Sequence, residues 1–310
     1  MKKWMLVAAV TGVLMGAGAF WFHSRPYPAP QLVQMLPPDN SVYVYLNVAA
    51  LRSTGILDLI AGSQQSEEAD YRKFVEDTAF DYRKDLDSLA VAFREGDVYY
   101  AAQGNFTWAK LEAYAPAHGG KCERFLCTMA GSEPGRNITY YMPRTNVLAI
   151  AVSRHATAGD MVAPGSWQSA PHIENVGLWV SAPPPALKDL NGAPGAARPF
   201  LEPLRDSTSA IFTLGPGQAK DSFELRLKAS ARDGASAAKI AKQYADVTDL
   251  LSRMLAHEKT PANAADLSSV LTGGRFNTKD NEVTGTWPIS KALIESLATS
   301  MKPEMKPGKK

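Results

Sequence analysis

The chain has 310 residues, of which 45% are hydrophobic and 21% charged, with two cysteines and a formal net charge of +2. This composition excludes a disordered chain, a collagen-like chain and a disulfide-rich scaffold. Lys2, Lys3, Arg25 and four lysines of 302–310 supply the positive excess, leaving 26 basic and 30 acidic residues between the two ends. Because an acidic body cannot displace counterions from phosphates, the sequence predicts no nucleic-acid partner.

The first predicted element is a membrane-spanning helix. Trp4 to Phe22 contains nineteen residues without a charge. As a helix this stretch is about 28 Å long, close to the hydrocarbon thickness of a bilayer. Lys2 and Lys3 precede it, and this bias favours a cytoplasmic N-terminus with the body in the periplasm. We therefore expect residues 1–22 to be a single-pass anchor in the inner membrane.

A cleaved signal peptide is the alternative for residues 1–22. Ala17-Gly18-Ala19 fits the small-x-small pattern of a cleavage site. Cleavage near Ala19 would release a secreted protein that begins with three aromatic residues. Both interpretations place the body outside the cytoplasm.

A spacer and a first domain follow the anchor. Three prolines within His23–Pro30 favour an extended chain, so residues 23–35 are predicted to be a stiff spacer. Residues 36–159 are predicted to form an α+β domain. Its expected elements are a strand over Ser41–Val48, helices over 49–61 and 67–78, a hairpin over 89–103, a helix capped by Thr107 and a hairpin over 137–152.

A second α+β domain is predicted over residues 172–300, after a linker of Gly, Pro and Ser at 160–171. Its expected elements are a strand over Val176–Ala182, a short helix over Pro199–Arg205, a hairpin over Ser209–Arg232, a long helix over Ala235–Ala256, a hairpin that turns at 279–281 and a helix capped by Ser290. Residues 301–310 are predicted to be a basic disordered tail.

The predicted fold class is α+β, with two tandem antiparallel-sheet units and helices on one face of each. The alternation of apolar and charged residues over Phe223–Arg232 indicates a sheet with one solvated face, which is typical of antiparallel sheets. Both halves have a similar order of elements, so an internal duplication is one interpretation. Chance recurrence of hairpin and helix units in an α+β chain is the other.

Cys122 and Cys127 are five residues apart and are predicted to form a disulfide, because the body is expected in an oxidising compartment. A zinc site that also uses His118 is the alternative, but the sequence offers no fourth ligand nearby. We therefore expect no metal and no cofactor.

Two Tyr-Tyr pairs are the candidate binding residues. Tyr99, Tyr100, Tyr140 and Tyr141 lie on predicted hairpin strands, where each pair places one ring on either face of its sheet. One interpretation is that one set of rings forms an aromatic groove for a peptide or glycan. The alternative is that one ring of each pair lies in the core and the other on the surface.

No catalytic residue is predicted. Ser236-Ala237-Ala238-Lys239 matches the S-x-x-K motif of penicillin-binding enzymes, but the partner motifs are missing. Asp81, Asp85 and Asp87 surround Arg83 and Lys84 and include no glycine, so capping aspartates are favoured over a calcium loop.

Three segments carry a family resemblance: LPPDNSVYVYLNVAALRSTGILDLI, FDYRKDLDSLAVAF and the later FTWAKLEAY. They resemble a family of uncharacterised bacterial exported proteins, mainly over residues 36–115. The resemblance implies one N-terminal membrane segment and an α+β body, and it implies no activity or site residue.

These observations predict a non-enzymatic, membrane-anchored periplasmic protein that binds a partner protein or another component of the cell envelope. A carrier of a small ligand or lipid, with a pocket between the two halves, is the first alternative. An envelope hydrolase whose catalytic residues are distant in sequence is the second.

Overall fold

A computed structural model describes residues 27–38, 40–61, 69–165, 172–173, 176–190, 198–217, 222–257, 263 and 266–300. The predicted anchor 1–22 and the predicted tail 301–310 lie outside the described residues. In the described part of the chain, no helix is long and apolar enough to cross a membrane.

The chain is a mixed α+β protein dominated by a large antiparallel sheet. The strands are β1 Val42–Asn47, β2 Leu86–Arg94, β3 Asp97–Gly104, β4 Lys121–Glu123, β5 Leu126–Ala130, β6 Asn137–Arg144, β7 Val147–Ser153, β8 Leu178–Ala182, β9 Ser209–Pro216, β10 Ser222–Ser230, β11 Arg275–Lys279 and β12 Glu282–Ser290.

The helices of the described residues follow most of the predicted helical segments. They are α1 Ala29–Val33, α2 Val48–Ser53, α3 Ile56–Ala61, α4 Ala69–Thr78, α5 Tyr82–Asp85, α6 Trp108–Ala117, α7 Pro184–Lys188, α8 Arg198–Leu201, α9 Gly234–His257, α10 Leu267–Thr272 and α11 Lys291–Ser300. Two short 3₁₀ helices span Ala158–Met161 and Glu202–Leu204.

The chain forms two compact units. Unit 1 takes in the described residues of 1–37, 73–90 and 96–171. Its strands hydrogen-bond in the order β2, β3, β7, β6, β5 and β4, with β4 as an edge strand. Helix α6 packs against β4 and β5.

Unit 2 takes in the described residues of 38–72, 91–95 and 172–310. Its strands hydrogen-bond in the order β11, β12, β10, β9, β8 and β1, with β11 as an edge strand. Helix α9 covers this sheet and buries Ile240 and Tyr244 in the core. The other large buried side chains of this core are Leu187, Leu204, Leu227, Val270, Val283, Trp287 and Leu293.

The predicted tandem arrangement is not confirmed. Residues 38–72, which the sequence places in the first domain, belong to unit 2 together with residues 172–300. Strand β1 pairs with β8, more than 130 positions later in the chain, with Tyr43 opposite Ser181. Hairpins are readable from local alternation, but a pairing at this separation is decided by tertiary packing.

The predicted stiff spacer needs a correction from Ala29 onward. Helix α1 begins after Pro28 and includes Pro30 in its first turn, where a missing backbone N–H does no harm. Leu32 and Val33 are fully buried. Their burial stabilises a short helix that a proline count alone argues against.

The predicted linker also contributes to the core of unit 1. Residues Ala158–Met161 form a 3₁₀ helix, and the following Val162 is fully buried. Residues 166–171 of this segment lie outside the described residues.

Candidate binding surface

Strands β4 and β5 form a hairpin that we call the clipped hairpin, Lys121–Ala130. Cys122 lies opposite Cys127, with 3.9 Å between their Cα atoms, and the two sulfurs form the predicted disulfide. The connecting turn consists of Arg124 and Phe125, and Arg124 has a φ of 58°. The disulfide therefore fixes a two-residue turn at the edge of unit 1.

The zinc alternative fails for these cysteines, because both sulfurs belong to the disulfide and are unavailable as thiolate ligands. In the described ranges no group of three His, Cys, Asp or Glu side chains is placed to hold a metal ion.

Register shows how the four tyrosines divide between the two faces of unit 1. Tyr100 and Tyr140 both lie opposite Ile150, so they share one face. Tyr99 lies opposite Ala151, and Tyr141 lies opposite Ala149, two positions away on the other face. The prediction that each pair straddles its sheet is confirmed.

Helix α6 covers the face that carries Tyr140. The Tyr140 hydroxyl donates a hydrogen bond to the Leu111 carbonyl over 2.8 Å, and the Trp108 ring packs edge-on against the Tyr140 ring. Burial, with a smaller contribution from Tyr114, raises the pKa of Tyr140 to about 12. Tyr140 is 6% exposed and is therefore a core residue, which fits the interpretation that one ring of each pair lies in the core.

The 3₁₀ helix Ala158–Met161 covers part of the opposite face. Gly159 permits this close approach, because a Cβ atom there would lie 2.9 Å from Leu126 Cδ1 and 3.0 Å from Thr139 Oγ1. Tyr99 points its hydroxyl at Met161 Sδ, 3.6 Å away. At 4% exposure Tyr99 is also a core residue, as the same interpretation has it.

Tyr141 is the member of the quartet that lines a cavity. Its hydroxyl donates a 2.6 Å hydrogen bond to the Val162 carbonyl, and its ring is half-buried. Burial raises the pKa of Tyr141, and the Asp160 carboxylate adds to this. The ring is thus held in place beside an acidic side chain.

This cavity, which we call the hairpin cavity, has a volume of about 620 Å³ and lies between the clipped hairpin and the residues around the 3₁₀ helix. A volume of this size falls within the range of sites that hold a small molecule or a short segment of chain. Its lining residues are Lys121, Glu123, Arg124, Phe125, Leu126, Thr128, Tyr141, Ala156, Thr157 and Asp160.

Charges of both signs surround the hairpin cavity. Lys121 donates to Glu123, and this contact lowers the pKa of the Glu123 carboxyl. Arg124 and Asp160 are exposed and have no ion pair within the described residues. A ligand that carries both a cationic and an anionic group therefore finds a complementary charge on each side of the cavity.

Among the described residues of unit 2, two smaller cavities stand out. One of about 310 Å³ includes Trp179, Arg226 and Lys228 in its lining, and one of about 270 Å³ includes Phe223 and Arg275. The hairpin cavity has at least twice the volume of either, and its lining includes the hydrogen-bonded Tyr141 and the exposed Phe125. We therefore take it as the candidate site.

Two other sequence motifs have structural roles. Asp81 caps α5 by accepting a 3.0 Å hydrogen bond from the Arg83 amide, and Asp85 accepts one from the Asp81 amide. The capping interpretation of these aspartates is confirmed. His118 stacks on Tyr114 and lies 3.8 Å from Asp77, at the end of α6.

Comparisons with known proteins find little. No family model matches the chain, and no curated protein matches it. Two solved structures are similar to it, both of TP0453. Crystal form IV has 13% identity and a TM-score of 0.44, and covers 87% of this chain and 96% of that one. Crystal form III has 12% identity and a TM-score of 0.46, and the alignment covers 87% of this chain and 97% of that one. Similarity at this level says nothing about function.

Sequence reasoning found the disulfide and Tyr141 but missed the other residues of the hairpin cavity. Thr128 and Asp160 are 32 positions apart, and both line the cavity only because the chain returns across the sheet after β7. The sequence does indicate the position of Phe125, because the spacing of Cys122 and Cys127 places this residue within a tight turn.

Proposed function

We propose that this chain is a membrane-anchored, exported binding protein whose hairpin cavity receives a segment of a partner protein in the cell envelope. Two observations support the location: the uncharged stretch Trp4 to Phe22 after two lysines, and the disulfide in the body, which is typical of oxidising compartments.

The hairpin cavity carries the binding part of the proposal. The disulfide fixes the hairpin wall of the cavity, and the hydrogen bond to Val162 fixes Tyr141. Because these groups are already ordered, binding loses little conformational entropy. Asp160 provides a charge, while Leu126 and the Tyr141 ring provide apolar contact. Polypeptide segments offer this combination of charges and apolar side chains.

The test isolates the full chain from its own membranes in mild detergent and quantifies the proteins that remain bound. Asp160→Lys places a second cation near Arg124, and like charges at an interface cost several kcal/mol. We expect the amount of the specific partner that remains bound to fall at least tenfold. Asp246→Lys, a matched reversal of an exposed aspartate on α9, is expected to leave the bound partner unchanged.

Two results would contradict the proposal. Equal loss of partner in both variants would show that the cavity does not hold it. Turnover of an envelope ester, peptide or glycan by the purified full chain would show that the protein is an enzyme.

A further inference from the structure

Tyr27 is fixed at one end of the sheet of unit 1. The Tyr27 amide donates a 3.1 Å hydrogen bond to the Gln103 side chain, and the Arg144 guanidinium lies 4.4 Å from the Tyr27 ring centre. Gln103 is the penultimate residue of β3, and Arg144 is the last residue of β6. We call this the Tyr27 end of unit 1.

The turn of the clipped hairpin lies at the same end. Cys127 in β5 is opposite Tyr140 in β6, and the two strands are antiparallel. Strand β5 therefore begins beside the last residues of β6, and the turn of Arg124 and Phe125 projects beyond them. Strand β5 is three strands from β3 in the sheet, about 14 Å at the usual spacing.

Phe125 is the most exposed large apolar side chain in the described part of the chain. Its side chain is 79% exposed, whereas the next, Leu250, is 58% exposed. The neighbouring Arg124 is exposed and Arg144 is half-buried. Acidic groups at this end include the Glu123 carboxylate, paired with Lys121, and the Asp81 carboxylate, paired with Lys84. Asp85 accepts a hydrogen bond from the Asp81 amide, and the exposed Asp87 and Asp160 lie at the start of β2 and beside the hairpin cavity.

The predicted anchor restricts how far this end can lie from a membrane. Phe22, the last residue of the uncharged stretch, and Tyr27 are separated by four residues. Even a fully extended chain spans only about 18 Å over that interval. The opposite end of the sheet is about 25 Å further away, the length of an eight-residue strand such as β6.

We infer that the Phe125 ring inserts into the interfacial layer of the phospholipid membrane that holds the N-terminal segment. Aromatic side chains favour this layer, and Arg124 is placed to reach lipid phosphates while its stem lies along the apolar region. The short connection to the anchor keeps the tip at high effective concentration near lipid. This inference rests on the membrane anchor of the proposed function.

The contact gives the clipped hairpin a second role. A single helix leaves a body free to rotate about the membrane normal and to tilt, and a second point of attachment restricts the tilt. The hairpin cavity then opens at a defined height above the lipid, where a partner in the same membrane can reach it.

The test uses the full chain in vesicles of phosphatidylethanolamine and phosphatidylglycerol, with and without brominated acyl chains. Phe125→Trp places a fluorophore at the turn. Ser132→Trp places one in the exposed turn between β5 and β6, at the opposite end of the same sheet. Emission is measured relative to the wild-type chain, which has six tryptophans. We expect brominated lipid to reduce the added emission of Phe125→Trp at least twofold and to leave that of Ser132→Trp unchanged.

Equal quenching at the two positions, or none at position 125 in a chain that still floats with the vesicles, would overturn the inference and leave the anchor intact. A wild-type chain that does not float would overturn the anchor and this inference together. Arg124→Trp repeats the measurement at the adjacent position in case Phe125→Trp does not form the disulfide.

Discussion

The edge hairpins of the two units are stabilised in different ways. In unit 2, the β11–β12 hairpin packs under α9 through an aromatic cluster in which Phe276 stacks on Tyr244 at 4.9 Å and meets Trp287 edge-on at 5.3 Å. In unit 1, the three-residue strand β4 exposes Lys121 and Glu123, and a disulfide joins it to β5. A hairpin held by core packing must bury its aromatic side chains. One held covalently can expose them.

The glycines of unit 2 reflect the same difference. Gly285 lies opposite Phe276, and a Cβ atom there would come within 3.0 Å of the Phe276 ring. The aromatic cluster therefore requires a residue without a side chain next to it. At the clipped hairpin the close contacts involve no aromatic ring: a Cβ atom at Gly120 would lie 2.8 Å from Met129 Cβ, and one at Gly159 would lie 2.9 Å from Leu126 Cδ1.

Removal of the central aromatic residue of unit 2 should have the largest effect. Trp287 is 1% exposed, so Trp287→Ala should leave a cavity and lower the free energy of unfolding by about 3–5 kcal/mol. Urea unfolding followed by circular dichroism measures the change. A loss below about 1 kcal/mol would show that packing does not hold this hairpin.

Removal of the disulfide should have the next largest effect. Cys122→Ala with Cys127→Ala removes a short closed loop and should lower the free energy of unfolding by about 2 kcal/mol. Amide hydrogen exchange should accelerate in β4 and β5 and stay unchanged in β11 and β12. Faster exchange in both hairpins would contradict a local role of the disulfide.

Loss of one buried hydroxyl should have a smaller effect. Tyr140→Phe removes the hydrogen bond to the Leu111 carbonyl and should lower the free energy of unfolding by about 1 kcal/mol. Urea unfolding at pH 8 measures it, with Tyr82→Phe, at a half-buried position, as the control.

The same tyrosine should make stability depend on alkaline pH. The folded pKa of Tyr140 is about 12, above the ordinary value of 10.0. Between these values the unfolded chain loses the proton and the folded chain retains it, so the free energy of unfolding should fall as pH rises from 10 to 12. Tyr244 shifts in the same direction through burial. Tyr140→Phe should reduce the slope, and an unchanged slope would contradict the burial argument.

Truncation of the exposed aromatic residue should have the smallest effect on stability. Phe125→Ala should change the free energy of unfolding by less than about 0.5 kcal/mol, because the ring makes few contacts within unit 1. Urea unfolding checks this directly against Trp287→Ala. A loss above 1 kcal/mol would mean that the clipped hairpin, like its counterpart, depends on packing of its aromatic side chain.

Local patterns predicted much of the secondary structure. The alternation over Phe223–Arg232 placed Leu227 and Ala229 on the buried face of β10 and Ala231 directly after it, and all three are in the core. Ser290 was expected to cap the last helix, and its hydroxyl accepts a 3.0 Å hydrogen bond from the Leu293 amide. These features depend on neighbours a few positions apart, so the sequence contains the required information.

The candidate site was predictable only in part. The Tyr-Tyr spacing fixes that the rings alternate between faces, but it does not say which face α6 covers. Helix α6 buries Tyr140, and the 3₁₀ helix buries Tyr99 and leaves Tyr141 beside the hairpin cavity. The residues next to Tyr99, Tyr140 and Tyr141 in the sequence do not indicate which of these rings is buried.

By itself, the sequence determined the α+β class, most strands and helices, and the pairing of Cys122 with Cys127, because hydrogen bonding and side-chain alternation act over short separations. Tertiary structure alone decided that β1 pairs with β8, that Leu32 and Val33 are buried, and that Asp160 faces the clipped hairpin. These contacts join residues far apart in the chain, and their free energy comes from apolar burial that no local pattern specifies.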